Sequence, residues 1–414
     1  MPKTTQSAAE VGWKLFPIAL AVLVAVFFSW SVRPTQQHFD YTFRIADAFL
    51  HGHLGLNAQP PSWLNEMVLV REKYYSVFPL GAVLAVLPFA LLGEAGLVKG
   101  FLGGSLAALI AGLCVYSFYQ LAGVGPNSNS KPRRILLALF PIFGTWSWCN
   151  LGLGGSWQIA LGFALLGQAG ALYFTLHRRG PFLAGACFAL AFGNRTELIL
   201  TIPIYLYFWG PWSEAHLRSA NRASKGLPRG WWKPLGWFLA IPAALALGTA
   251  AYNFARFDSI FDFGYARIAN LTQEPWYRSG LFSFHAIPWN AFKMLFEGMQ
   301  DIPTFPYLRP YPFGCSIFLS SPFLCLLFRE GGDLKALAWS VIGLLTLVLW
   351  CHGNPGGWQF SYRYAMILLP WMFLLLLRNG PRKLSATELG LFLVSVAINA
   401  IAVYEFLWTN NIHP

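Results

Sequence analysis

The stretch FDYTFRIADAFLHGHL, residues 39–54, decides how this chain is read. Asp40, Arg44, Asp47 and His51 recur along it at i, i+4, i+7 and i+11, one polar stripe of a helix. Phe39, Phe43, Ala46 and Leu50 form an adjoining apolar stripe. Such a helix is expected to lie along a membrane surface, with its carboxylates at the depth of lipid headgroups. A plainer reading needs only local chemistry: Asp40 caps the helix and pairs with Arg44.

The surroundings favour a membrane. Only 11% of the 414 residues are charged, and 56% are hydrophobic. Yet residues 33–75 hold Arg33, Arg44, Arg71 and Lys73 against Asp40, Asp47, Glu66 and Glu72, between two apolar runs. Residues 13–32 read as a first span and signal anchor. Further apolar segments fall at 97–121, 135–152, 155–176, 181–193, 196–209, 235–254, 313–328, 336–352, 364–378 and 388–408. The fold expected is an all-α polytopic membrane protein of about eleven transmembrane helices, one integral domain over residues 1–414. Residues 33–93 would be its first outer loop and 255–312 its second.

Segment 76–93 is short and bracketed by Pro79 and Pro88. Loop charge argues that it does not cross. The 122–134, 177–180, 210–234 and 379–387 loops are basic, whereas 33–75 and 255–312 balance acids against bases. Basic loops belong on the cytoplasmic side. All loops fall on consistent sides only if 76–93 is a juxtamembrane or re-entrant helix on the outer face.

Several chemistries find no support in the sequence. There is no GxxxxGK[ST] loop, no GxGxxG after a strand, no HExxH or CxxC spacing and no GxSxG elbow. The net charge of +12 lies in membrane loops, so it does not point to nucleic acid. Six single cysteines in apolar segments read as core residues, and no internal repeat of the inverted-transporter kind is visible. His38, His51 and His53 read as wetted interfacial residues rather than ligands. What remains is a set of outer-face acids and cations, joined by Arg195 and Glu197 within an apolar stretch and by His352, Trp358, Tyr362 and Arg363 at a segment end. Ionisable residues at such depth are either functional or paired structurally.

These residues carry a resemblance. The run from Phe39 through WLNEMVLVREKYYSVFPLGAVLAVLPF (63–89) resembles the first outer loop of the GT-C superfamily of polytopic glycosyltransferases, which includes relatives of protein O-mannosyltransferases and of the lipid A aminoarabinose transferase. Asp40, Ala46–Gly52 and Lys73-Tyr74-Tyr75 followed by Phe78-Pro79 match the family's order. YNFARFDSIFDFGY (252–265), FGNRTELILTIP (192–203) and GGWQFSYRYAMILLP (356–370) are similar to later family segments. Each motif is loose, though together they spread over most of the chain. Leu80 stands in place of a second proline, and Asn150 and Gln158 stand where many members carry His or Asp.

The resemblance implies transfer of a sugar from a polyprenyl-phosphate donor to a lipid, glycan or protein acceptor, at the periplasmic face of the inner membrane. Asp40 would be the general base, with Glu66 and Asp47 as alternates. Arg71, Lys73, Tyr75, Arg195, Arg256, Arg267 and Arg363 would bind the donor and its phosphate. No cofactor is required, although a divalent metal fits the reading. The competing classes are a transporter or flippase of lipid-linked sugars, which needs the cations but no base, and a non-catalytic subunit of envelope glycan assembly.

Overall fold

Solvent decides the architecture: a chain this apolar must close its backbone hydrogen bonds within helices wherever lipid surrounds it. The computed structural model describes residues 8–33, 39–123, 129–210, 230, 232–332 and 334–412, and it is mostly helical. Its strands form two short antiparallel hairpins, β1 (Met67–Val70) with β2 (Lys73–Ser76) and β3 (Gln300–Asp301) with β4 (Leu308–Arg309). Each of the eleven apolar segments coincides with helical structure. Four helices are long and apolar enough to cross a membrane: Gly103–Ala122, Ser156–Leu176, Trp232–Phe257 and Ala386–Trp408. Several others are shorter, so length alone does not establish a count of eleven spans.

The helices are α1 (Ala8–Ser31), α2 (Tyr41–Leu50), α3 (Leu80–Glu94), α4 (Gly103–Ala122), α5 (Lys131–Phe143), α6 (Ser147–Gly152), α7 (Ser156–Leu176) and α8 (Pro181–Asn194). After them come α9 (Ile202–Trp209), α10 (Trp232–Phe257), α11 (Ile287–Leu295), α12 (Ile317–Ser320), α13 (Lys335–Cys351), α14 (Leu369–Arg378) and α15 (Ala386–Val403). A 3₁₀ stretch, Thr196–Thr201, leads into α9, and another, Arg363–Leu368, leads into α14. The core runs through α4 and α7, whose apolar windows are 67% and 78% buried, while the window of α10 is only 17% buried. On α10, Trp237, Leu247 and Phe254 face outward, as Val22, Leu23 and Val26 do on α1. Apolar flanks of this extent suit lipid rather than water.

Small residues set the distance between helices, since lipid offers no hydrophobic gain for bringing them together. A Cβ on Gly185 of α8 would stand 2.0 Å from the Phe238 carbonyl oxygen of α10, and one on Gly81 of α3 would stand 2.4 Å from the Gly193 Cα of α8. Helix α3 starts against the C-terminal end of α8 and finishes at Glu94 beside His51. Gly93 packs on Phe43, which contacts Phe101 just ahead of α4. The two ends of α3 thus pack against the C-terminal ends of α8 and α2.

The first-loop end of the bundle gathers Ser31, which accepts from Trp148 Nε1 at 2.9 Å through its hydroxyl and from Trp408 Nε1 at 2.8 Å through its carbonyl. There Ser156 N–H also donates to the Phe39 carbonyl at 2.8 Å. A second apolar cluster forms beneath the first loop, with Tyr41, Val68, Tyr75, Phe78 and Phe257 among its members. The buried face of α2 runs through Tyr41, Ile45 and Ala48, whereas Phe43 and Leu50 are only partly buried. The apolar stripe is thus rotated from the sequence expectation, because α2 packs against α3 and α7 as well as facing the surface.

At the opposite end lie the basic loops. Arg133 is fully buried and donates to the Glu388 carboxylate from Nε at 3.2 Å and from Nη2 at 3.1 Å, and to the Leu376 carbonyl at 2.7 Å. Glu388 also accepts from Arg329 at 2.9 Å and closes a capping box with Ser385 at the start of α15. One carboxylate thereby ties α5, α14, α15 and the segment after Phe328. Most of the basic 210–234 loop, with Arg218, Arg222, Lys225 and Arg229, lies outside the described residues.

Two stability outcomes are expected. Glu388→Gln leaves two guanidinium groups short of their carboxylate, and should cost about 3–5 kcal/mol, seen as a lower thermal midpoint of the solubilised protein. Gly185→Ala should lower the midpoint by an overpacking cost of about 1–3 kcal/mol. Gly236→Ala, whose Cβ meets nothing within 4 Å, should not lower it.

Candidate active site

The loop end of the bundle encloses a cavity of about 680 Å³. One wall comes from the first loop. Hairpin β1–β2 turns at Arg71-Glu72, both at positive φ, and its first strand starts directly after Glu66. Leu64 and Val68 are buried on either side of that acid, so the hairpin's own core aims it. Arg256 locks the other end of the hairpin. Its guanidinium donates to the Ser76 carbonyl and, at 2.7 Å, to Asn253, with the Tyr252 ring beneath it. Facing Glu66 are Trp157 at the start of α7 and the turn after α8, with Asn194, Arg195 and Glu197. Asp262 and Tyr265 from the second long loop, His352 just past α13, and Tyr364 complete the polar lining.

Glu66 is the central titratable group. Trp157 Nε1 donates to its carboxylate at 2.7 Å. Enclosure in the cavity raises its carboxyl to about 7, while the Trp157 hydrogen bond and the Arg363 charge hold it from going higher and the Glu274 charge pushes the other way. A carboxyl titrating there can accept or release a proton at neutral pH.

Arg363 lies against the rings of two lining residues, 5.9 Å from the Trp157 centroid and 5.1 Å from that of Tyr364. Its guanidinium makes two long hydrogen bonds, to the Trp358 carbonyl at 3.4 Å and to the Tyr364 hydroxyl at 3.3 Å. Its buried Nε has no partner, and no ion pair to Arg363 occurs among the described residues. Donor capacity of that kind beside a cavity suits an anion that arrives from outside. Arg195 is committed differently: it pairs with Glu197 at 2.6 Å and sits 4.8 Å over the Tyr364 ring.

The remaining expected site residues are scattered. The Asp40 carboxylate accepts from Arg44 Nε at 2.7 Å, makes no capping hydrogen bond, and is not part of the cavity lining. Asp47 borders a separate hollow with His51 and His53. Arg71 pairs with Asp258 on the surface, and Arg267 pairs at 2.9 Å with Asp262. Tyr75 packs on Phe257, Lys73 lies in β2 outside the lining, and Arg256 is structural. The structure therefore places Glu66 and Arg195 in the lining with Arg363 directly behind it, and leaves Asp40, Asp47, Arg71, Lys73, Tyr75, Arg256 and Arg267 outside. His38 lies outside the described residues.

Trp157, Tyr265 and Tyr364 escape the sequence reading, because an aromatic at the edge of an apolar segment has the signal of a membrane-belt residue. Residues able to hold a metal lie elsewhere: among the described residues, donor atoms of Asp47, His51 and Glu94 converge outside the cavity. No family model, curated protein or solved structure matches the chain.

Enclosure of the half-buried Glu66 has a measurable signature. Its folded value near 7 exceeds the ordinary glutamate value of 4.5. The unfolded chain therefore releases this proton first, and the group destabilises the fold progressively as pH rises from about 4.5 to about 7. Glu66→Gln removes that loss while keeping an acceptor for Trp157. The substitution should raise the thermal midpoint at pH 8 and leave it nearly unchanged at pH 4. Equal midpoints at pH 8 would contradict the enclosure of this carboxyl.

Proposed function

We propose that this chain is a membrane glycosyltransferase that moves a sugar from a polyprenyl-phosphate carrier to an acceptor hydroxyl at the outer face, with Glu66 as general base. The observation that carries the reading is Glu66 held near neutral pKa in the same cavity wall as Trp157, with the Arg363 guanidinium, held by two long hydrogen bonds, behind that indole. Around the mouth, Ile199, Leu200, Phe261 and Phe282 are exposed apolar residues, a surface suited to an isoprenoid tail. Basic loops at the opposite end favour an orientation that puts the cavity outside.

In the proposed step Glu66 takes the acceptor hydroxyl proton as the oxygen lone pair attacks the anomeric carbon. The bond from that carbon to the phosphate oxygen breaks, and its electron pair leaves on the carrier phosphate. Arg363 and Arg195 stabilise the charge gathering there, the term that matters most in a water-poor site. Asp40, closed by Arg44, then serves the entry to α2 rather than the proton transfer. A flippase reading would use the cations without a base, so the acid separates the two.

The test is turnover of a synthetic polyprenyl-phosphate sugar by purified protein. Glu66→Gln should lower kcat by about 10²–10⁴, the worth of a positioned proton acceptor, with donor affinity retained. Arg363→Ala should weaken donor binding about ten- to hundredfold, for a lost charge-assisted hydrogen bond of about 1.5–3 kcal/mol. Asp40→Asn should stay within about tenfold of wild type, below the loss of a general base. A dead Asp40→Asn beside an active Glu66→Gln moves the base to Asp40. Carrier translocation without sugar transfer overturns the enzyme reading.

A further inference from the structure

We propose that the C-terminal ends of α2 and α3 form a binding site for a divalent transition-metal ion, with Asp47, His51 and Glu94 as its protein ligands. One donor atom from each residue lies within 4.8 Å of the other two. Asp47 and His51 stand one helical turn apart on α2, the i, i+4 spacing that puts two ligands on one face. Glu94 comes from a different helix, its carboxylate oxygen 3.5 Å from His51 Nε2. The other ring nitrogen of His51, Nδ1, lies 2.9 Å from the Asp47 carbonyl oxygen, so it carries the proton. Nε2 faces Glu94 and, in the neutral ring, presents its lone pair there. A ligand histidine is commonly fixed this way, donating its second nitrogen to a backbone carbonyl.

The helix ends supply an independent argument. His51 is the residue that closes α2, and Glu94 is the last residue of α3. The C-terminal ends of two helices converge on one point, where their dipoles favour positive charge. A cation is favoured there before any side chain is counted. The nearby guanidinium does not compete: Arg44 borders the same hollow but is engaged by Asp40.

Donor chemistry selects the ion. One imidazole nitrogen with two carboxylates suits zinc, manganese, cobalt or nickel, whereas calcium and magnesium prefer all-oxygen sets. Tetrahedral zinc with bonds of about 2.0–2.1 Å needs ligands about 3.3 Å apart, so the 3.5 Å pair is nearly in place. All three side chains are exposed and can close on the ion by rotamer changes. The ion would clamp the end of α2 to the end of α3, and so brace the first loop that carries Glu66. This inference stands on the cluster alone and does not depend on the transferase reading.

The test uses the full chain, purified in detergent, stripped with a chelator, and titrated with Zn²⁺ by calorimetry and by thermal midpoint, with Mg²⁺ alongside. One Zn²⁺ per chain should bind and raise the midpoint, and Mg²⁺ should do neither at equal concentration. His51→Ala and Glu94→Gln should each weaken Zn²⁺ binding at least tenfold, and His53→Ala should retain it. Because the altered side chains are exposed, the variants should elute as wild type does. Absence of Zn²⁺ binding overturns the proposal. Binding that neither His51→Ala nor Glu94→Gln weakens overturns it too, since the ion then sits on other histidines or cysteines.

Discussion

Charge has nowhere to go along the flanks of this bundle, and most of the structure follows from that constraint. Lipid tolerates neither an open backbone hydrogen bond nor an unpaired ion, so ionisable groups collect at the two ends. At one end Arg133 and Arg329 share the single carboxylate of Glu388, and the balance stays positive, as the basic loops there require. At the other end cancellation is incomplete. Arg195 meets Glu197 and Arg267 meets Asp262, while Arg363 meets aromatic rings and Glu66 meets an indole. A cavity lined by partly compensated groups is a place where a charged substrate can complete the balance.

Much of the helical plan was legible because hydrophobic runs report solvent directly. The eleven apolar segments appear as helices, and the short 76–93 segment also carries a helix, Leu80–Glu94. Boundaries were less legible where backbone geometry changes within a run. Thr196–Thr201 and Arg363–Leu368 are 3₁₀ rather than α, the first beginning beside Arg195, which lines the cavity, and the second at Arg363, which lies behind the lining Trp157 and Tyr364.

The site was legible as a list of residues but not as an arrangement. Arg256 and Arg363 look alike in sequence, each an arginine at the edge of an apolar segment. Only the fold shows that Ser76 and Asn253 hold the first through short hydrogen bonds, while the second makes two long ones, to Trp358 and Tyr364. Asp40 and Glu66 were likewise equivalent carboxylates in one loop. What separates them is a partner four residues away for Asp40, against a partner ninety-one residues away for Glu66. Local pairing is visible in sequence spacing, and the long-range indole contact is not.

The 3₁₀ stretches ahead of α9 and α14 have a mechanical meaning. A 3₁₀ coil rises about 2.0 Å per residue against about 1.5 Å for an α-helix. Relaxing either six-residue stretch to α geometry would therefore shorten it by about 3 Å. Arg195 and Arg363 stand at the starts of these two coils, and that displacement is about the length of a hydrogen bond. Each arginine is thus seated where a change of coil pitch alone would shift it by that distance relative to the helix that follows.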